Sequence, residues 1–504
     1  MSWTATILER DYDALQAQLF RDDEDEHAAF LYAGLHETTR GRRLLVRHVV
    51  PVADADFGPS DRGAYRQVAA RAVARAALDC DEAGLCLLWA HSHPLSNRCV
   101  DFSSDDLRAH AYAHPALIDM THGRPVAGLV FGKASVAGEI WTPGAAPERL
   151  TSLRIVGHHT RDLFPEPPMS VIADERFARQ VMMFGDVGQE ILRGLTVAVV
   201  GAGGGGSLLV QMLAHLGVGK LIIVDFDVIS KSNLSRVVGA TPADVGRLKV
   251  DVMRELVARI DPAIEVETLR DIAYAADALR VTEADFAFLA TDSILSRYAY
   301  NLLCHQYLVP GIQVGAKVTA DSAGRALVHV MERPLTLGGP CLDCLGVIPP
   351  DVLIAEQQSD AERRAQRYVD DGQAGDDDPL DDPSVITLNS IATALAATDF
   401  LFMFTGLLDS APLISRVYYP QTHVLRERAG AAKPGCRFCD PAAASVLARG
   451  DLKRLSLRPG ERTPLARERA PETSAARPQS WWQRLRAWLG LVRRRGVGDG
   501  ASGR

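Results

Sequence analysis

The order of hydrophobic and polar positions along the chain predicts an α/β protein. In the first part, residues 28–34 and 43–52 have the pattern of strands, residues 65–79 have helical spacing with many alanines, and residues 85–90 form a continuous apolar strand. In the second part, short apolar strands are separated by helical patterns, an order typical of a parallel sheet covered by helices. Two of those strands lie at residues 197–200 and 221–224, and a later one ends near residue 290.

The strand at residues 197–200 runs into five glycines and then into the apolar helical run 208–216. Gly201, Gly203 and Gly206 fit the pattern G-x-G-x-x-G, whose small residues let backbone N–H groups approach a phosphate at the positive end of a helix. In such sites an acidic residue about 20 positions later holds a ribose hydroxyl, and Asp225 stands there. No G-K-[ST] follows the glycines, which argues against a P-loop. The motif predicts a nucleotide site without naming the nucleotide.

Length and charge limit the remaining possibilities. A chain of 504 residues is too long for one core, so we expect two or three domains. Residues 451–504 hold 13 Lys or Arg against 5 Asp or Glu, a net +8, and this leaves −16 for residues 1–450 out of the total of −8. An acidic body argues against general nucleic-acid binding.

The start of the chain has neither the basic nor the apolar region of a signal peptide, which predicts a cytoplasmic protein. The apolar span 386–408 carries one charge, Asp399, and lacks basic flanks. We interpret it as a buried core helix rather than a membrane helix.

Proline-rich residues 164–168 mark the best domain boundary. We predict four parts: a first domain at residues 1–160, a linker at 161–174, a second domain at 175–440 and a basic tail at 441–504.

A possible metal site follows the strand at residues 85–90. His91 and His93 are two positions apart at the strand end, so both imidazoles project to one side and can reach one ion. Downstream, residues 103–106 supply a carboxylate from Asp106 or from its rival Asp105. Two His, one Asp and an open water position are typical of a catalytic zinc site, and Glu26 is the candidate general base. Three other histidines are interpreted as surface or loop residues: His110, His114 and His122.

These residues resemble the JAB/JAMM zinc metalloisopeptidases, whose pattern is an early Glu, then H-x-H-P and S-x-x-D. The resemblance implies that His91, His93 and Asp106 bind zinc, that Glu26 is the base and that Ser103 stabilises the oxyanion. The gap between His93 and Asp106 is about two residues longer than the family pattern, which keeps Asp105 as an alternative.

In the second domain, the other polar residues that could bind a nucleotide each follow the end of a strand or stand at the start of a helix. In an open α/β sheet such residues collect at the carboxyl ends of the strands. The set consists of one Asn, two or three cations and two Asp. It suits a triphosphate with Mg²⁺ better than a nicotinamide.

These motifs resemble the ThiF/MoeB-like adenylyltransferases of the ubiquitin-activating superfamily, over nearly the whole of residues 170–440. The shared motifs are R-x-x-R-Q, G-x-G-G-x-G, D-x-D, S-N-L-x-R, G-x-x-K, T-D and two C-x-x-C pairs. The glycines of the second motif are Gly201, Gly203, Gly204 and Gly206, and the two acids of D-x-D are Asp225 and Asp227. The resemblance implies that Asp225 binds ribose, and that phosphates are held by Asn233, Arg236 and Lys249. It further implies that Asp292 binds Mg²⁺ and that Arg179 reaches the ATP of a second subunit in a homodimer.

Two pairs of cysteines predict a second zinc site. Cys341, Cys344, Cys436 and Cys439 have the spacing of a closed four-thiolate structural site. The pairs flank the crossover segment, residues 349–383, which reads as a mobile loop and holds Asp376, Asp377 and Asp378. It contains no cysteine, so we expect adenylation without the thioester step that many activating enzymes perform there.

The tail beyond residue 440 is rich in proline and arginine and reads as partly disordered. Near its end, Trp481, Trp488 and neighbouring apolar residues share one helical face opposite arginines. Such a helix is suited to contact a membrane surface or a protein partner.

Together the two resemblances imply an α/β multidomain chain: an N-terminal JAB/MPN-type α+β domain, a Rossmann-like ThiF domain with a mainly parallel sheet and a four-Cys zinc site, and the basic tail. The leading hypothesis is ATP-dependent adenylation of the C-terminal glycine of a ubiquitin-like protein, joined to zinc-dependent (iso)peptidase processing of that protein. Its setting would be a bacterial, antiphage-type system that often includes a conjugating enzyme. One alternative is activation and trimming of a ThiS/MoaD-like sulfur carrier, and another is an inactive scaffold that binds a ubiquitin-like protein.

Overall fold

The computed structural model describes residues 2–58, 66–167, 174–320, 326–358, 383–409, 413–442 and 444–459. The acidic run at residues 376–378 and the amphipathic stretch around Trp481 and Trp488 lie outside the described residues. The described chain has two halves, each built on an eight-stranded sheet.

The N-terminal half is a curved sheet with three helices. Its strands are β1 (Ser2–Leu8), β2 (Ala28–Thr38), β3 (Gly41–Pro51), β4 (Cys86–Ser92), β5 (Val126–Gly132), β6 (Ser135–Trp141), β7 (Glu148–Val156) and β8 (Arg161–Leu163). Their order is β1-β3-β2-β4-β5-β6-β7-β8, and β1 also pairs in parallel with β7, which closes the sheet on itself. Its helices are α1 (Glu9–Leu19), α2 (Ala70–Ala83) and α3 (Ser104–Met120).

The sequence pattern predicted four of these eleven elements, and β1 is among those that it did not predict. Strands were predicted at residues 28–34 and 43–52, and β2 and β3 are there. The helix predicted over residues 65–79 begins later, at Ala70. Strand β1 was not predicted, although Trp3, Ala5 and Ile7 alternate into the core and are fully buried.

The C-terminal half is a doubly wound sheet with an antiparallel extension. It opens with α4 (Ala178–Gly194), and its sheet order is β11-β10-β9-β12-β13-β14-β15-β16. The first five strands in that order are parallel, which is the arrangement of a Rossmann-type fold. They are β9 (Thr196–Val200), β10 (Lys220–Val224), β11 (Glu265–Leu269), β12 (Phe286–Leu289) and β13 (Gly311–Ala320); the extension is β14 (Ala326–Leu335), β15 (Ser415–Tyr419) and β16 (Val424–Arg428).

Helices cover both faces of this second sheet. They are α5 (Gly204–Leu216), α6 (Lys249–Ile260), α7 (Ala275–Val281), α8 (Ile294–Tyr307), α9 (Pro350–Gln357) and α10 (Ile386–Thr405). Among the described residues, α10 is the one helix long and apolar enough to cross a membrane. It packs instead on the sheet core through Ala396, Phe400 and Phe404, while its buried Asp399 pairs with Arg416 of β15. The prediction of a core helix is therefore confirmed.

The two halves share one hydrophobic cluster. Leu8, Leu45 and Val156 of the N-terminal half pack in the same buried group as Ala198 and Val200 of the C-terminal half. Because burial of apolar side chains is the main stabilising term in folding, this shared core holds the two halves together.

Residues 441–459, which we call the closing segment, return from the C-terminal half to the N-terminal half. Arg47 of β3, only 3% exposed, donates hydrogen bonds to Leu447 O, Pro441 O and Ser445 Oγ. Asp451 accepts from the backbone N–H of Glu37 at 2.7 Å and from the hydroxyl of Tyr307 at 3.0 Å. The first part of the predicted tail is thus packed on the body.

Candidate functional site

The first candidate site lies where β4 meets α3. His91 is in β4, His93 follows that strand, and Asp106 is in the first turn of α3. The Nε2 atoms of His91 and His93 lie 3.3 and 3.4 Å from the two carboxylate oxygens of Asp106. One ligand atom from each of the three residues lies within 4.8 Å of the others, a spacing that could hold one metal ion.

Asp106 is held in place by a capping box. Its Oδ2 accepts hydrogen bonds from the backbone N–H and the hydroxyl of Ser103, both at 2.7 Å, and its own N–H donates to Ser103 Oγ. Burial opposes ionisation of Asp106, but the neighbouring His91 and His93 outweigh it and lower the pKa of this carboxyl far below its usual range. The rival ligand Asp105 instead pairs with Arg108 in solvent. The structure therefore brings Asp106, and not Asp105, to the histidines.

Glu26 lies at the edge of the same cluster, just before β2. Its Oε1 is 4.0 Å from His93 Nε2. Burial raises the pKa of Glu26, and the neighbouring His91 and His93 act in the opposite direction. A partly buried carboxylate beside this cluster of two histidines and one aspartate is suited to accept a proton from a water molecule.

The cluster fits a divalent zinc ion. Two imidazoles and one carboxylate are the donors that zinc takes in catalytic sites. His91 Nε2 is buried and makes no hydrogen bond among the described residues. A buried imidazole nitrogen that has no hydrogen-bond partner fits the role of a metal ligand.

Two of the three histidines assigned to the surface are in fact buried. His110 and His114 lie on the inner face of α3, and their rings stack with centroids 4.4 Å apart. His110 Nδ1 is 3.0 Å from Glu139 of β6. The surface interpretation failed because α3 turns this face toward β5 and β6, whereas His122, on the turn after the helix, is exposed as predicted.

The four paired cysteines converge in the C-terminal half. The Sγ–Sγ distances are 3.7 Å for Cys341 to Cys344, 3.7 Å for Cys341 to Cys436 and 3.6 Å for Cys344 to Cys439. A tetrahedron with metal–sulfur bonds of about 2.3 Å has edges of about 3.8 Å. The observed spacing and the all-thiolate donor set fit a closed structural zinc site.

The second candidate site is the glycine turn between β9 and α5. Gly201 has a positive φ of 96°, and a Cβ on Gly206 would lie 1.7 Å from the carbonyl oxygen of Gly201. Glycine is therefore required at both positions. Among the residues that the structure describes, a Cβ on Gly203 would meet nothing within 4 Å, so they leave the space in front of the turn open. The first backbone N–H groups of α5, which begins at Gly204, are available to a phosphate.

Acidic and basic side chains surround this turn. Asp225, directly after β10, accepts hydrogen bonds from the backbone N–H of Ala202 at 2.7 Å and of Asp227 at 2.8 Å. Lys249 Nζ lies 2.9 Å from Asp227 and 3.8 Å from Asp225. Burial raises the pKa of Asp225, and Lys249 counters that shift. D-x-D and the lysine thus form one charged cluster against the glycines.

The remaining predicted nucleotide-binding residues differ in how closely they approach the turn. The stem of Arg236 lies against Gly204, and its guanidinium donates to Ser232 O at 2.8 Å. Asn233 accepts from the N–H of Ser230 and so fixes the same short segment. Asp292 is exposed beyond β12, next to Thr291, which contacts Gly201.

Arg179 is not brought to the turn. It is exposed on α4 and, among the described residues, makes no hydrogen bond or ion pair with the nucleotide-binding set.

Sequence reasoning missed Asn389. Its side-chain nitrogen would be 2.5 Å from a Cβ on Gly204, so this amide lies directly on the turn, and it donates to Ser384 Oγ at 3.2 Å. The available signal was an amide side chain within the mainly apolar helix α10.

The fold and the glycine-turn site define a nucleotide-binding protein of the Rossmann type. The sequence profile of the ThiF family matches residues 177–437, and the chain belongs to this family. That half therefore carries the predicted Rossmann-like ThiF fold.

Three relatives are similar to part of this chain. Molybdopterin-synthase adenylyltransferase of Escherichia coli is 33% identical over 35% of this chain and 71% of its own length. The adenylyltransferase and sulfurtransferase UBA4 of Eremothecium gossypii is 34% identical over 37% of this chain and 41% of its own length. The SAMP-activating enzyme E1 of Haloferax volcanii is 33% identical over 34% of this chain and 61% of its own length. The match therefore covers less than two thirds of the length of UBA4 and of the SAMP-activating enzyme E1.

Proposed function

We propose that the C-terminal half is an adenylyltransferase that activates the C-terminal glycine of a ubiquitin-like or sulfur-carrier protein with ATP. The observation that carries this proposal is the charged cluster of Asp225, Asp227 and Lys249 against an open glycine turn. The names of the three relatives, two adenylyltransferases and one activating enzyme, support the same activity.

In this proposal the acceptor glycine carboxylate attacks the α-phosphorus of ATP. A new C–O–P bond forms, the bond from the α-phosphorus to the bridging oxygen breaks, and pyrophosphate leaves. Lys249 and Arg236 neutralise charge on the phosphates, the first N–H groups of α5 bind them, and Asp225 holds the ribose. Asp292 would hold Mg²⁺, which is usual beside a triphosphate. Such transfers depend mainly on positioning and charge neutralisation.

The identity of the acceptor divides this proposal in two. The leading version is a ubiquitin-like protein in a bacterial, antiphage-type conjugation system that includes a conjugating enzyme. A sulfur carrier in cofactor synthesis is the second version, and the names of the molybdopterin-synthase and sulfurtransferase relatives favour it. In both, a C-terminal glycine is activated in the cytoplasm.

ATP–pyrophosphate exchange in the presence of a candidate acceptor tests the activity. We expect exchange that depends on the acceptor's terminal glycine and is lost in Lys249→Ala. Lys220→Ala is a matched control, because Lys220 pairs with Glu265 and Glu267 at the start of β10, away from the turn. Exchange that persists in Lys249→Ala at the wild-type rate would refute the assignment.

We further propose that the N-terminal half is a zinc (iso)peptidase of the JAB/JAMM type that acts on the same acceptor protein. The support is the convergence of His91, His93 and Asp106 with Glu26 at their edge. It would trim a precursor to expose the glycine or cut a conjugate, so its product would be the substrate of the other half. The inactive scaffold is the remaining alternative.

When bound, zinc supplies Lewis-acid polarisation and activation of water. His91, His93 and Asp106 would hold it, and Ser103 keeps Asp106 in position through two hydrogen bonds. Glu26 would take the proton from the attacking water and pass it to the leaving amine. The hydroxyl of Ser103 already donates to Asp106, so an oxyanion role for Ser103 requires that this bond be shared or exchanged.

Cleavage of a C-terminally extended acceptor tests the peptidase. We expect Glu26→Gln to abolish cleavage while the zinc content of the protein is retained. Glu24→Gln is the control, since it changes a nearby carboxylate of the same acidic run. Wild-type cleavage by Glu26→Gln would exclude Glu26 as the base, and a chain that never cleaves any extended acceptor would favour the scaffold.

We also propose a homodimer. An exposed apolar strip on α4 supports it: Met182 is 87% exposed, Met183 56% and Val187 61%. Strips of this kind on a soluble protein mark interaction sites. Sedimentation should give a dimer that Met182→Lys with Val187→Lys converts to a monomer. A monomeric wild type would refute it and would also leave Arg179 without a second active site to reach.

A further inference from the structure

A cavity of about 340 Å³ lies between the two halves, and none of its lining residues belongs to either candidate site. Its walls are β1, β3, β7 and β8 of the N-terminal half, and the residues before β12 of the C-terminal half. We call it the seam cavity. Its volume is within the range of small-molecule sites.

Charged side chains dominate this cavity. Four arginines line it, Arg40, Arg42, Arg43 and Arg154, opposite the three carboxylates Asp162, Glu283 and Asp285. Carboxylates and guanidinium groups buried together usually neutralise each other in pairs. Each charged group in the cavity is therefore expected to have a partner of opposite charge.

All three carboxylates are engaged. Arg154 donates to both oxygens of Asp162 at 2.8 Å and also pairs with Asp285. Asp285 accepts in addition from the backbone N–H of Thr196 at 2.7 Å. Glu283 accepts from Thr39 Oγ1 at 2.8 Å and pairs with Arg280.

Two of the remaining arginines are also engaged. Arg40 donates to Thr196 Oγ1 at 2.7 Å and lies 3.8 Å from Asp285. Arg42 pairs with Glu37 at 3.3 Å and lies over the ring of Trp3.

Arg43 differs from the other three. Among the described residues its side chain makes no hydrogen bond and no ion pair within 4.0 Å, although it is half-buried. Burial lowers the pKa of Arg43. The charges of Arg43 and Asp285 attract each other, but the two side chains form no hydrogen bond. A guanidinium group stays protonated in proteins, so the cavity contains a positive charge whose five N–H donors have no acceptor in the part of the protein that the structure describes.

We propose that the seam cavity binds a compact phosphate ester, with its phosphate on Arg43 and its hydroxyl groups facing the carboxylates across the cavity. A guanidinium fork matches the oxygens of a phosphate. Asp162, Glu283 and Asp285 accept hydrogen bonds, which favours a ligand that carries free hydroxyls over a bare anion. Because both halves line the cavity, the bound ester would bridge them.

This site is independent of the proposed adenylation and peptidase activities. Its ligand is recognised by residues of β3 and β7 and by the segment before β12, none of which belongs to either candidate site. Binding there would strengthen the contact between the halves by mass action, because the ligand binds only when both walls are in place.

Calorimetry with ribose 5-phosphate tests the site, since this ester lacks the adenine that a nucleotide site would recognise. We expect one site per chain, a ligand-dependent rise in Tm, and binding at least about tenfold weaker in Arg43→Met, because a hydrogen-bonded charge contact is worth about 1.5–3 kcal/mol. Arg71→Met, an exposed arginine of α2, is the matched control. Binding should persist in Asp225→Asn, which separates this site from the glycine turn.

Stability without ligand gives a second readout. If the charge of Arg43 is unpaired, Arg43→Met should keep or raise Tm in the absence of ligand and remove its rise with ligand. If inorganic phosphate binds more weakly than ribose 5-phosphate, the ligand of the cavity is a phosphate ester. If the two bind equally, the ligand is free phosphate, which Arg43 recognises by the same chemistry. No binding at millimolar ester, unchanged binding by Arg43→Met, or a marked fall in Tm of the unliganded variant would overturn the proposal.

Discussion

Replacing Arg47 by Met should release the closing segment from the N-terminal half. Arg47 is buried in β3 and donates to two backbone carbonyls and one hydroxyl of residues 441–447. Burial lowers the pKa of Arg47 to about 10, so it remains charged at neutral pH. Hydrogen bonds from a charged donor contribute about 1.5–3 kcal/mol each, and removing the buried charge returns several kcal/mol of desolvation. The net loss should be about 3 kcal/mol.

Native-state hydrogen exchange is the suitable assay, because a chain with two halves need not unfold in one step. The reporters are three amides of the closing segment: Ala448 donates to His305 O, Gly450 to Gln306 O and Asp451 to Leu35 O. A loss of about 3 kcal/mol corresponds to about 100-fold faster exchange at these amides. Amides in the middle of β9 should be unaffected.

Arg21→Met provides the control, since Arg21 forms a solvent-exposed pair with Asp54 and such pairs contribute at most about 1 kcal/mol. If exchange of Ala448, Gly450 and Asp451 is as slow in Arg47→Met as in the wild type, Arg47 does not hold the segment. The hydrophobic contacts of Leu447 and Ala448 would then be sufficient.

Three further predictions follow from single positions. Gly206→Ala should destabilise the nucleotide-free protein by about 3 kcal/mol and lower its Tm, because the new Cβ would lie 1.7 Å from Gly201 O. Gly203→Ala should leave that Tm unchanged. Equal Tm values for the two variants would contradict the observed turn. Cys436→Ser should remove one equivalent of zinc per chain, measured by elemental analysis, and should not affect the zinc that we propose for His91, His93 and Asp106; an unchanged zinc content would show that the thiolates hold none. Burial and the neighbouring Asp399 raise the pKa of Glu332 to about 8, above the value near 4.5 of an exposed Glu, so the folded state binds the extra proton and stability should fall as pH rises from about 4.5 to 8. Unfolding measured across that range should be flatter in Glu332→Gln, and an identical slope would argue against the shift.

Local motifs allowed the candidate sites to be predicted from the sequence. The glycine turn, the His91–His93 pair and the two C-x-x-C pairs each lie within a few residues, where strand alternation or a tight turn fixes the geometry. The His91–His93 pair meets Asp106, and one cysteine pair meets the other, once the expected fold has formed. The choice between Asp105 and Asp106 needed the structure, because it depends on which carboxylate the Ser103 cap holds.

Long-range features could not be read from the sequence in the same way. The pairing of β1 with β7 joins residues about 150 positions apart, and no local pattern encodes it. Likewise, His110 and His114 looked like surface residues because helix α3 is weakly amphipathic, and only its packing on β5 and β6 buries them. Residues 441–459 were placed in a tail that was interpreted as partly disordered on composition, and these residues are held by specific contacts to both halves.

The closing segment also sets an order for biosynthesis. A chain emerges from the ribosome N-terminus first, and domains generally fold as units in that order. Strand β3 therefore reaches the folding environment about 400 residues before Leu447, the residue whose carbonyl Arg47 binds. Until then the buried face of Arg47 and the backbone beside Gly34, where Ala448 O makes its close approach, remain uncovered. This face of the N-terminal half stays exposed while nearly the whole second half is synthesised. A nascent chain that stalls before residue 441 would present this face to chaperones.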